Sequence, residues 1–90
     1  MKKTQSINLT TDEALVLQQV SESGEEDIIS LADSLHMTRQ KVMTCLSRLS
    51  KKGLVVIKTT YGDWWVHVSG KGEHFVHSIW PEYSNRQMAF

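Results

Sequence analysis

A single cysteine, Cys45, among 90 residues excludes an intramolecular disulfide and any multi-thiolate zinc cage. The one proline, Pro81, stands behind the last helical pattern and ends it. No apolar run approaches the roughly 20 residues that cross a bilayer. Lys2 and Lys3 lead into polar residues rather than the apolar stretch of a secretion signal, so a cytoplasmic protein is expected. A Ser-His-Asp set, a Gly-rich phosphate loop and paired carboxylates are all missing, and neither enzyme activity nor a cofactor is expected. Ninety residues support one modest core and are too few for two.

Excess charge is missing as well. A formal net charge of zero argues on its face against nucleic acid, whose binding domains are usually basic. Its distribution reverses that argument: residues 1–37 carry −5, residues 38–72 carry +6 and residues 73–90 carry −1. A phosphate backbone would be drawn to the middle of the chain and repelled by its start.

The folded core is expected over 9–80, with 1–8 flexible, 81–90 a tail, and no linker dividing a single 1–90 domain. Thr10 followed by Glu13 is a capping box, with Leu9 placed to staple against Ala14, and Ala14, Leu17 and Val20, with Leu15 and Val16 widening the stripe, give one buried apolar face to a helix over about 11–21. Asp27 caps a second helix that buries Ile28, Leu31, Ala32 and Leu35 and turns Glu25, Glu26, Asp33 and Ser34 outward. His36 occupies a tight turn that needs a left-handed residue, and Met37 plugs the corner. Thr38 caps a third helix over 38–52, with Val42, Cys45, Leu46 and Leu49 inward and Gly53 as its stop. Residues 54–68 then form a β-hairpin around Thr60-Tyr61-Gly62-Asp63. A three-residue loop pairing Val56 with Val68 is the favoured register, while a two- or four-residue loop would select Val55 and Ile57. Ser69 caps a short final helix with Phe75, Val76, Ile79 and Trp80 on one stripe.

Three helices, a C-terminal two-stranded β-hairpin wing and a short final helix make an α+β winged helix-turn-helix. The patterns Leu9-Thr10-x2-Glu13-x3-Leu17-x2-Val20, Leu31-Ala32-x2-Leu35, Val42-x3-Leu46-x2-Leu49-x3-Gly53-Leu54-Val55 and Val66-x-Val68-Ser69-x2-Gly72 together resemble regulators of the multiple-antibiotic-resistance (MarR) type over residues 9–72. The resemblance implies sequence-specific binding of double-stranded DNA and transcription control. The chain departs from that family in a short wing without its Asp-x-Arg element and in one short final helix where the family has long dimerisation helices.

In such a domain the outward residues of the third helix meet base edges in the major groove. Arg39 suits guanine and Gln40 adenine, because their side chains match the two-point edges of those bases. Thr38, Thr44 and Ser47 suit phosphate or a thymine methyl, and Met43 an apolar contact. Lys41, Lys51, Lys58 and Lys71 would neutralise phosphates, and the wing tip, Thr59, Thr60 and Tyr61, would touch the backbone or minor groove. The plainer alternative for these charges is an ordinary solvated face. At the level of function the alternative is a protein-interaction winged helix without DNA binding, and a homodimer or protein partner would use the final helix and tail. Trp64-Trp65 invites a reading as a stacking platform, but packing is the simpler one, with only one of the two facing the core. His74 and His77, one helical turn apart near Glu73 and His67, are read as exposed polar residues rather than metal ligands. Cys45 is read as a small apolar filler.

Overall fold

The computed structural model describes residues 8–80. Helix α1, Thr11–Ser23, opens on the expected capping box: Glu13 N–H donates to Thr10 Oγ1 and Thr10 N–H to Glu13 Oε1, each at 3.1 Å. Val16, Leu17 and Val20 are fully buried and Leu9 packs against the same core, but Leu15, expected to widen that stripe, lies on the opposite side of the helix and is 41% exposed. The helix runs two residues past the expected end and stops at Gly24, whose φ of 89° turns the chain back.

The segment read as the polar start of the second helix is instead a strand. β1, Glu25–Asp27, pairs antiparallel with β3, Asp63–Val68, setting Glu25 opposite His67, Glu26 opposite Val66 and Asp27 opposite Trp65. Acidic residues are poor strand formers, so local propensity gives no hint of it. The reversal at Gly24 lays these residues along the open edge of β3, whose backbone groups require partners. The two-stranded wing is therefore part of a three-stranded sheet ordered β1-β3-β2, with β2 spanning Val55–Thr60.

Helix α2, Ile28–Leu35, buries Ile28, Leu31 and Ala32, and Asp27 takes its N-cap position without a side-chain capping bond. It ends on His36, held left-handed at φ 56° and ψ 42°. There Met37 N–H donates to Ala32 O at 3.0 Å and His36 N–H to Asp33 O at 3.3 Å, the paired closure of a Schellman turn. Helix α3, Arg39–Lys51, follows at once, and its Val42, Cys45, Leu46 and Leu49 are buried as expected. Gly53, at φ 80°, repeats the closure: Leu54 N–H donates to Leu49 O and Gly53 N–H to Ser50 O.

The hairpin register differs from the favoured one. Val55 pairs with Val68, Ile57 with Val66 and Thr60 with Asp63 across a two-residue Tyr61-Gly62 loop. Both loop residues have positive φ, 52° and 87°, the signature of a type I′ turn, whose twist matches that of the strands. Val55 therefore faces the core and Val56 is 39% exposed. Tyrosine is not a residue such a turn favours, which is why the sequence did not signal it. Trp64 and Trp65 fall on opposite faces of the sheet and both remain exposed.

Helix α4, Gly70–Ile79, is capped by Ser69, whose Oγ accepts from Gly72 N–H at 2.9 Å and donates to Gly53 O at 2.6 Å. Gly72 packs directly on the Leu54 backbone just before β2: a Cβ there would collide with the Leu54 carbonyl oxygen and lie 2.6 Å from Val68 Cγ1 at the end of β3. Val76 is buried and Phe75 and Trp80 partly so, but Ile79, expected on the same stripe, is 37% exposed.

Two stability changes of opposite sign follow. Gly72→Ala forces backbone apart and should lower stability by about 1–3 kcal/mol, despite alanine's better helix propensity. Tyr61→Asn relieves a left-handed tyrosine and should raise it by about 1 kcal/mol. Thermal midpoints of the two variants should move several degrees down and up respectively.

Candidate nucleic-acid interface

Burying Val42, Cys45, Leu46 and Leu49 leaves the opposite face of α3 to solvent. On it Gln40, Met43, Thr44, Ser47, Arg48 and Lys51 line one shallow open groove along the helix. All twelve residues expected from the sequence, Thr38, Arg39, Gln40, Lys41, Met43, Thr44, Ser47, Lys51, Lys58, Thr59, Thr60 and Tyr61, are exposed. They do not form one surface of equals. Arg39 leaves the Gln40 groove and sits in a crease against α2, with Ile29, Ser30, Asp33, His36 and Met37. Tyr61 stands at the tip of the hairpin at 101% exposure.

Several of these side chains already have hydrogen-bonding duties. Thr38 Oγ1 accepts from Lys41 N–H at 3.1 Å, so its own hydroxyl proton remains available to an acceptor such as a phosphate oxygen. Thr44 donates its proton to Gln40 O at 3.0 Å and keeps only lone pairs and a methyl group to offer. Lys41 Nζ lies 3.2 Å from Asp12 Oδ2 across a second groove, lined also by Thr10, Thr38, Gln40 and Arg48. Among the described residues, Arg39, Lys51 and Lys58 take part in no ion pair.

Arg48 was absent from the sequence-derived set, and it contributes to the α3 groove. Its Nη1 is 3.7 Å from Glu13 Oε2, and Lys52 Nζ is 3.0 Å from Glu13 Oε1. Lys52 also donates to Asn8 O at 2.6 Å. The sequence signal was there: Arg48 and Lys52 are four apart and so share one helical face. What it lacked was the depth of Glu13, whose side chain is 3% exposed. Burial pushes the Glu13 carboxyl up, but the Lys52 hydrogen bond, the Thr10 amide and the charges of Lys52 and Arg48 outweigh it. The net result holds the group below its ordinary value. Burial raises the Cys45 thiol, with Asp12 and Glu13 adding to the effect, which keeps it protonated and unreactive. Among the described residues, no group of three or more His, Cys, Asp or Glu could hold a metal ion. No helix among them is long and apolar enough to cross a membrane.

No known protein-family model and no curated protein sequence matches the chain. Solved structures do. NadR in complex with 4-hydroxyphenylacetate superposes at a TM-score of 0.76 with 26% identity, covering 91% of this chain and 60% of that one. A MarR-like transcriptional regulator from Thermotoga maritima gives 0.75 at 21% identity, covering 93% and 62%. MarR gives 0.74 at 18% identity, covering 88% and 59%. The fold is thus a winged helix, with four helices and a three-stranded antiparallel sheet among the described residues. More narrowly, that fold is similar to the winged-helix part of the MarR-type structures. The chain spans about three-fifths of the length of those structures.

Because the folded-state carboxyl of Glu13 lies below its ordinary value of 4.5, its stabilisation is complete above that pH and is lost as pH falls through the lowered value. Glu13→Ala should cost about 1–3 kcal/mol at neutral pH, leaving Lys52 without its main partner. Urea unfolding midpoints of wild type and variant should draw together as acidification carries the pH below the lowered value.

Proposed function

We propose that the chain binds double-stranded DNA sequence-specifically and regulates transcription in the cytoplasm. The observation that carries this reading is the ridge of α3, whose Gln40, Met43, Thr44, Ser47 and Lys51 are exposed along an open groove and flanked by exposed cations. A helix presented in this way fits the major groove. Gln40, Met43, Thr44 and Ser47 would face base edges, with Arg39 reaching in from the α2 side. Thr38, Lys51 and Lys58 would hold phosphates, and Thr59, Thr60 and Tyr61 would carry the wing to the backbone or minor groove. The likeness to transcriptional regulators supports the same reading.

A second reading is favoured by one specific feature. Leu15 on α1 and Ile79 on α4 are exposed apolar side chains on two helices that touch each other, and either could meet a protein partner or a second copy. Such a contact is compatible with DNA binding through α3. On its own it would make the domain a protein-interaction module, and the tail at 81–90, named in the sequence reading, lies outside the described residues.

Titration of mixed duplex DNA with the chain should show binding at low salt, with log K falling linearly as log salt rises. Lys58→Ala should weaken all sequences alike and flatten that slope by about one unit, whereas Gln40→Ala should cost about 1–3 kcal/mol on a selected site and relax its specificity. No affinity at low salt, or affinity unchanged in the double variant Arg39→Ala, Lys41→Ala, would leave the protein-interaction reading standing instead.

A further inference from the structure

The first turn of α1 carries two adjacent acids, and both are paired with cations of α3 or its C-cap. They are not equivalent. Glu13 is buried and held by Thr10, Lys52 and Arg48, so no phosphate can take its place without dismantling the contact between the helices. Asp12 is open: its side chain is 40% exposed, that of its partner Lys41 is 54% exposed, and the 3.2 Å pair borders an accessible groove between the N-terminal turns of α1 and α3. Thr10 and Thr38, the N-caps of the two helices, border the same groove.

An exposed pair of this kind contributes little to folding, because water screens it and two flexible side chains must be held together. Its effect on an incoming polyanion is larger in proportion. Lys41 lies in the first turn of α3, where a phosphate would approach if that helix enters a major groove. We propose that Asp12 is an intramolecular competitor for that phosphate. It occupies the Lys41 ammonium in the free protein and lowers DNA affinity by having to be displaced. This inference rests on the DNA-binding reading and assigns a role that the exposed cations Arg39, Lys51 and Lys58, which have no ion-pair partner among the described residues, do not share. The set of cations around α3 is thereby graded. Lys52, at 3.0 Å from the buried Glu13, is committed to structure, Lys41 is conditionally available, and Arg39 and Lys51 are available at once.

The test is a double-mutant cycle on DNA affinity with mixed duplex as the probe, measured from low to moderate salt. Asp12→Asn keeps the side-chain shape at an exposed position, and its thermal midpoint should stay close to wild type. It should bind about two- to fivefold more tightly at low salt, with a salt slope steeper by up to about one unit as Lys41 becomes free to replace a counterion. In a Lys41→Ala background the same substitution should change little. If wild type binds DNA and Asp12→Asn binds equally or more weakly, the proposal is overturned while the DNA reading stands. An equal gain in the Lys41→Ala background would also overturn it, since Asp12 would then act through its general field. Absence of binding by every variant at low salt would remove the DNA reading itself.

Discussion

The placement of α3 depends on a carboxylate that has almost no contact with water. An ionised group in that position is costly unless its lone pairs are filled and opposite charge lies close by. Glu13 meets the condition with the Thr10 amide, the Lys52 ammonium and the Arg48 guanidinium. These contacts are directional in a way that the apolar stripe is not. Val42, Cys45, Leu46 and Leu49 determine which face of α3 turns inward, but an apolar surface tolerates sliding along the helix axis. Arg48 and Lys52 can both reach one carboxylate in only a narrow range of axial positions. The ridge presented by Gln40, Met43, Thr44 and Ser47 inherits that alignment.

The second constraint is the chain reversal that makes a short acidic segment into a strand. Gly24 turns residues 25–27 along β3, and α2 starts immediately afterwards from that fixed edge. α2 is therefore anchored at its start by the sheet and at its end by the left-handed His36, which sets the angle at which α3 departs. At the other end of α3 the Gly53 closure delivers Leu54 directly into the core, and Ser69 bridges back to the Gly53 carbonyl, so the wing and α4 are tied to one short corner. Gly72 completes that corner by letting α4 lie against the Leu54 backbone.

Much of this was legible in the residues because its causes are local. Thr10, Thr38 and Ser69 cap the helices they were expected to cap, and the inward stripe of α3 follows from spacing alone. His36 was legible as a turn for the same reason: the left-handed requirement belongs to one residue. The features that escaped are those decided by distant partners. β1 exists because β3 has an open edge, not because Glu25, Glu26 and Asp27 favour extension. The hairpin register turned on whether a tyrosine would accept positive φ, which the strand pairing decides. Of the site, the exposed positions were readable from periodicity, whereas the separation of Arg39 from Gln40 required the packing of α2 beside α3.

Charge is where sequence and structure inform each other most. A count along the chain describes an acidic start and a basic middle as opposing halves, which makes a neutral total look like cancellation at a distance. In the folded domain part of the cancellation is by contact, since Asp12 and Glu13 meet Lys41, Arg48 and Lys52 directly. Those contacts remove charge from the α1 side of α3 and leave it on Arg39, Lys51 and Lys58. Among the described residues, the charge a polyanion would meet along α3 is therefore weaker than the basic count of 38–72 suggests, and its unpaired part lies on Arg39, Lys51 and Lys58. A small neutral domain can in this way present exposed cations without being a basic protein, because an acid that balances its charge, Glu13, also holds α1 to α3.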